Sequence, residues 1–300
     1  MSKVLVTGAS GFVGTHLVER LLQDGHQVCT FDLTPPQLAD SEWERKGLLQ
    51  WSQGDITDEG EALLATHGMD VVYHLAQPAD INTVKNDPLR VIKDCVVGTA
   101  LMLDAAQQHK VKRFIYASST YVYSDHGHLY TTTKRCCEGL VKNWHTLYGL
   151  PYTILRFGTI YGPGSRSVVG IFIKKALAGE PLTIHGEGKQ SRRFVYIDDI
   201  IEGCVKAMRP EAENGTYTLV GEEPASIVRI GATIGGILDR ELDIDRQPAR
   251  EDDYVEELPP NTQLELECQQ GLGWGPKVSI EEGIRRTVEW QREQNTGFTA

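Results

Sequence analysis

A chain of 300 residues and 33.3 kDa holds one large domain or two modest ones that share a core, which excludes a disulfide-stapled peptide or a simple repeat unit. Apolar residues at 40% and charged residues at 24% are the mix of a globular chain rather than a disordered one. Lys and Arg number 30 against 41 Asp and Glu, a net charge of -11, and so acidic a surface repels phosphate backbones, so nucleic acid is not an expected partner.

No apolar run reaches the roughly 18 to 20 residues that a bilayer-spanning helix needs, and Met1 leads into a strand-like segment rather than a basic stretch and an apolar signal core. The expectation is a cytoplasmic protein with no membrane partner. The cysteines at 29, 95, 136, 137, 204 and 268 form no CxxC pair and match no histidine spacing, so they read as reduced thiols, with no metal site.

In chain order, Lys3 to Thr7 is a short β-branched apolar run that reads as a strand. Phe12 to Gln23 places Phe12, Val13, Leu17, Leu21 and Leu22 on helical spacing, and Gly25 suits the helix stop. A second strand follows from Gln27, ending at Asp32. Apolar stretches at Val71 to Leu75 and Arg113 to Ala117 continue the series, with helical patterns at Leu89 to His109 and Lys134 to Tyr148. Strands alternating with helices of this length predict an α/β chain with a doubly wound parallel sheet, the Rossmann nucleotide-binding architecture. From about Pro151 turn residues become denser, as in YGPGS and HGEGKQSRR. The expected division is a dinucleotide-binding domain over 1–155 and a smaller α/β substrate-binding part over 156–300, interleaved with the first, with the active site in a cleft between them.

The segment TGASGFVG places Gly8, Gly11 and Gly14 at the junction between the first strand and the first helix. Glycines there permit a tight turn and let the N–H groups of Phe12, Val13 and Gly14 approach a pyrophosphate at the positive end of the helix dipole. Asp32 ends the second strand, where a carboxylate accepts from an adenosine ribose diol and repels a 2'-phosphate, which selects NAD over NADP. Asp55 and Ile56, in GDIT, are placed near the adenine, although loop aspartates also cap turns without any ligand. Leu75 and Ala76 end a strand beside the cofactor, whereas His74 just before them reads as a structural histidine.

Tyr130 and Lys134, in YTTTK, lie one helical turn apart and project from one face. A phenol is a poor base at neutral pH, but a nearby ammonium and a cationic nicotinamide both favour phenolate. Tyr130 then takes a proton from a substrate hydroxyl, and Ser119, at the end of the preceding strand, shares it.

The chain resembles the extended short-chain dehydrogenase/reductases of the nucleotide-sugar epimerase/dehydratase family. The resemblance rests on TGASGFVG, Asp32, GDIT, HLA, VVGT at Val96 to Thr99, ASSTYVY, YTTTK, LRFGTIYGP, RRFVYIDD and LGW at Leu272 to Trp274. It implies Ser119, Tyr130 and Lys134 as the catalytic triad, with Lys134 also holding the nicotinamide ribose. It further implies that Arg192 and Arg250 meet the diphosphate of a nucleotide-sugar substrate, a role that guanidinium forks suit. Arg250 is followed by the acidic run Glu251 to Asp253, which is equally compatible with a solvated surface.

Family members that eliminate water or decarboxylate generally carry an acid in the two positions after the catalytic Ser or Thr, and here those are Thr120 and Tyr121. What remains is hydride and proton transfer, so the resemblance implies epimerisation at C4 of a UDP-hexose or UDP-hexuronate through a 4-keto intermediate. A 4-keto-sugar reductase, a dehydratase or decarboxylase with its acid elsewhere, and a non-catalytic dinucleotide sensor stay open as alternatives. The loop from Ser119 to Tyr130 is shorter than the family usually has, and its His126 and His128 read as exposed turn residues. Thr159 and Val84 stand where the family often has Asn and Ser, with Thr159 still placed at the substrate. By the same resemblance, helices Leu89 to His109 and Lys134 to Tyr148 form a homodimer interface.

Overall fold

The structure is a computed structural model that describes residues 1–36, 38, 41–78, 86–124, 129–249 and 268–296. These residues divide into two compact units. The first comprises Met1–Arg156, Ile201–Thr218 and the described part of Pro259–Trp274; the second comprises Phe157–Ile200 and the described parts of Leu219–Leu258 and Gly275–Ala300.

The first unit is built on a seven-stranded sheet. Its strands are β1 (Lys3–Thr7), β2 (Gln27–Asp32), β3 (Leu49–Gln53), β4 (Val71–His74), β5 (Arg113–Ser119), β6 (Tyr152–Phe157) and, after the shorter strands of the second unit, β11 (Gly215–Leu219). The order is β11-β6-β5-β4-β1-β2-β3, and the ladders β1–β2, β2–β3, β1–β4 and β4–β5 are parallel. β1, β4 and β5 are buried along almost their whole length, as expected of strands covered on both faces. The order reverses between β1 and β4, and in such sheets a ligand binds at the carboxyl ends of the strands beside that reversal.

Helix α1 (Phe12–Gln23) follows β1 directly and buries Leu17, Val18, Leu21 and Leu22. Helices α2 (Glu42–Arg45) and α3 (Glu59–Thr66) precede β3 and β4; Asp58 caps α3 by accepting the Glu61 N–H. The helix expected as one piece over 89–109 departs from that reading. α4 (Pro88–Ile92) runs into a π turn at Lys93–Val97 before α5 (Gly98–Gln108) resumes. The wider turn accommodates an extra residue, fully buries Cys95, and seats Gly98 so close to Ile56 that an added Cβ would meet Ile56 Cδ1 at 2.7 Å. Helix α6 (Leu129–Tyr148) begins earlier than the pattern from Lys134 implies. Tyr130 therefore lies in its first turn and Lys134 one turn deeper.

The second unit pairs short strands. β7 (Thr159–Tyr161) runs parallel to β10 (Phe194–Tyr196), β8 (Leu182–His185) parallel to β13 (Ile244–Gln247), and β9 (Ser191–Arg192) antiparallel to β12 (Ala225–Ser226). Edge-to-face contacts of Tyr161 with Phe194 and Tyr196 fill its interior. Asp199 accepts the N–H groups of Lys277 and Val278 at 3.0 Å. Among the described residues no helix is long and apolar enough to cross a membrane.

Candidate functional site

A cavity of about 840 Å³ opens in the first unit, lined among others by Gly8, Gly11, Asp32, Asp55, Leu75 and Ala76. Its floor is the turn after β1. Gly8 adopts φ +69°, and an added Cβ there would lie 2.7 Å from the Ala76 N, so both backbone conformation and space demand glycine. Gly14 faces the same turn one helical step on, and a side chain there would collide with the Gly8 carbonyl. The glycines thus let α1 start hard against the end of β1.

Helix α1 has no acidic residue in its first turn and no side-chain cap on Gly11. Its leading N–H groups, which have no intrahelical acceptors, and its positive dipole end are left for an anion. Phe12, Val13 and Gly14 belong to this first turn and do not line the cavity with side chains. Asp32 Oδ2 accepts the Ser10 N–H at 3.0 Å, which ties the end of β2 to the glycine turn. The carboxylate keeps lone pairs for a diol. Asp55 turns its carboxylate to the Thr57 N–H at 2.8 Å, a local cap, while still lining the cavity beside Ile56.

The groups suited to proton transfer, Ser119, Tyr130 and Lys134, do not themselves line this cavity; Lys134 connects to it through Gln77, which does. Ser119 closes β5, is 8% exposed, accepts the Tyr121 N–H and hydrogen-bonds Tyr130. Although part of its surface is accessible, burial pushes the Tyr130 phenol up to about 12, with the Ser119 hydrogen bond acting the other way. The expectation that Lys134 favours the phenolate is therefore not met by these side chains. The reason is geometric: the ammonium lies 5.6 Å from the centre of the Tyr130 ring and donates instead to the Ala117 carbonyl at 2.6 Å and to Gln77 Oε1. Burial in turn lowers Lys134 to about 8. Thr120 is buried, and the Tyr121 ring meets Tyr130 edge-on at 5.5 Å, so no carboxylate follows Ser119.

His74 is fully buried, with Nδ1 2.9 Å from Thr7 Oγ1 and Nε2 3.1 Å from Thr99 Oγ1, the satisfied environment of a structural histidine. Gln77 and Tyr116, which the sequence reading gives no role, contact Lys134, and Thr99 of the VVGT motif contacts Gln77; the available signal was a polar residue directly after the strand-end Leu75-Ala76 pair. The remaining substrate candidates belong to the second unit. Arg192 ends β9 and donates to the Ser191 carbonyl at 2.9 Å, and the Thr159 N–H donates to the Arg193 carbonyl at 3.2 Å. Arg250, Val84, His126 and His128 lie outside the described residues.

Sheet order, glycine turn and strand-end aspartate define a doubly wound dinucleotide-binding protein. The cavity, the cradle that any Cβ would fill and the helix end without acids all fit a dinucleotide.

The sequence model of the NAD dependent epimerase/dehydratase family matches residues 4–221. A UDP-glucuronate 4-epimerase of Thermodesulfobacterium geofontis is 30% identical, over 98% of this chain and 97% of its own length. A UDP-N-acetyl-alpha-D-glucosaminuronate decarboxylase of Bacillus cytotoxicus is 29% identical, over 97% and 98%. The crystal structure of a UDP-glucuronic acid 4-epimerase from Bacillus cereus, in complex with UDP-glucuronic acid and NAD, superposes with a TM-score of 0.84 at 28% identity, over 97% of this chain and 99% of that one. The chain belongs to the NAD dependent epimerase/dehydratase family, and its cofactor is NAD.

Proposed function

We propose that this protein inverts the configuration at C4 of a nucleotide sugar, a UDP-hexose or UDP-hexuronate, through a transient 4-keto sugar. Bound NAD supplies hydride uptake and return. Tyr130, as the phenolate that a cationic nicotinamide nearby would favour, removes the proton from the 4-hydroxyl and gives it back, Ser119 shares that proton through its hydrogen bond to the phenol, and Lys134 holds the nicotinamide ribose. Gly8, Gly11 and the N–H groups of Phe12, Val13 and Gly14 receive the pyrophosphate, Asp32 the adenosine ribose, and Asp55, Ile56, Leu75 and Ala76 form the walls. Arg192 and Arg250 take the substrate diphosphate, with Thr159 at the sugar.

The observation that carries this reading is the Ser119–Tyr130 pair followed by Thr120 and Tyr121, neither of them acidic. A dehydration or decarboxylation step calls for a further acid or base, whereas C4 inversion needs only hydride and one proton. An epimerase and a decarboxylase match the chain at nearly equal identity, so the choice rests on these residues rather than on similarity. The protein is further read as a cytoplasmic homodimer, built on α4 to α6, where Leu89, Val97, Leu147 and Tyr148 are exposed.

The test is incubation of the purified protein with NAD and a panel of UDP-sugars, with products identified by NMR. C4 epimers are expected. A dehydrated or decarboxylated product overturns the reaction, and no turnover of any sugar favours a dinucleotide sensor.

A further inference from the structure

Lys134 is held by more than its own helix. Its ammonium has three N–H donors; one goes to the Ala117 carbonyl and one to Gln77 Oε1. The same Gln77 oxygen accepts the Tyr116 hydroxyl at 3.1 Å, and Gln77 Nε2 donates to Thr99 Oγ1 at 3.0 Å. The orientation of the amide is dictated by its neighbours, because a flip would turn its NH₂ onto an ammonium that can only donate.

The chain of hydrogen bonds continues with a definite sense. Thr7 Oγ1 accepts the N–H groups of both Leu75 and Ala76 at 3.2 Å, so its own proton goes to His74 Nδ1. His74 Nε2 then carries the ring proton and donates it to Thr99 Oγ1. Burial lowers His74 to about 3, so the ring is neutral. Gln77 is thereby fixed from the ends of β1 and β4, at the sheet reversal, and it also lines the dinucleotide cavity.

We propose that Gln77 is a positioning residue, which holds the Lys134 ammonium at the wall of the dinucleotide pocket and ties that position, through Thr99 and His74, to the rigid strand ends. The proposal rests on the assignment of Lys134 to the nicotinamide ribose. The ionisable groups around the ammonium are His74 from β4, Cys95 from the π turn, Tyr116 from β5, and Tyr130, Cys137 and Glu138 from α6. Glu138 is itself paired with Arg156 at 2.6 Å. Beside these groups the ammonium has two neutral acceptors, the Ala117 carbonyl and Gln77 Oε1, and removing the second leaves it with one fewer bond in a buried place.

Gln77→Met keeps the volume and removes the acceptor; Gln77→Glu keeps an acceptor and adds charge. Lys134 ionisation is followed by NMR of Cε-labelled lysine, NAD affinity by calorimetry, and folding by thermal unfolding. With Gln77→Met the lysine titrates about one pH unit lower and NAD binds about tenfold more weakly, while Gln77→Glu moves the titration upward. An unchanged titration together with NAD affinity within about twofold of wild type in a folded Gln77→Met protein overturns the proposal. If that variant does not fold, an unmoved titration in Gln77→Glu overturns it. None of these readouts uses a sugar, so a wild-type protein that turns over no UDP-sugar defeats the epimerase reading while leaving this test intact.

Discussion

A half-buried phenol and a buried ammonium one helical turn apart are pushed in opposite directions, Tyr130 up to about 12 and Lys134 down to about 8, because low polarity disfavours the charged form of each. In the proposed chemistry the phenol is the proton carrier, so Tyr130→Phe should lower turnover on the order of 10² to 10⁴-fold while NAD titration stays near wild type; wild-type turnover in that variant would contradict the assignment. The lysine makes a separate prediction about stability. Unfolded Lys134 binds its proton more tightly than the folded form, so the penalty of burying it is present below about pH 8 and is relieved as pH rises toward the ordinary value of 10.5. Urea unfolding of wild type and Lys134→Met should therefore show their stability difference moving in favour of wild type by roughly 3 kcal/mol between about pH 8 and pH 10.5. A difference that stays flat across that window would show the lysine to be solvated in the fold.

At the scale of elements, the motif-bearing junctions were legible and the irregular ones were not. β1, the glycine turn and α1 are dictated locally: an apolar β-branched run, glycines where a Cβ finds no room, and a helix with one apolar stripe. The π turn at Lys93–Val97 left no trace in the apolar pattern from Leu89 to His109; the contact it accompanies, Gly98 close against Ile56, joins residues distant in the sequence. Gly98→Ala should cost about 1–3 kcal/mol by overpacking, measured by chemical denaturation, and should weaken NAD binding because Ile56 lines the cavity. Adding Ile56→Val, which removes the methyl that an alanine side chain would meet, should recover part of both losses; strictly additive effects would show that the two positions do not share that space.

At the scale of the whole molecule, the acidic charge and the surface apolar residues of α4 to α6 bear on assembly. Leu147 is 66% and Tyr148 57% exposed at the end of α6, an arrangement that a second copy would cover. Sedimentation of the wild type should give a dimer, and Leu147→Glu with Val97→Glu a monomer of unchanged far-UV circular dichroism; a monomeric wild type would remove the homodimer from the reading.

Family, fold and cofactor class were readable from the chain alone, since they depend on short motifs whose chemistry is local: glycines where backbone must approach phosphate, an acid at a strand end, a phenol and an ammonium one helical turn apart. Folding decided what those groups experience. Lys134 turns from Tyr130 toward Gln77 and Ala117, and Gln77 is held by partners on α5, β5 and α6. Such contacts join residues far apart in sequence, and their strength comes from a buried, weakly polar interior that no local pattern encodes.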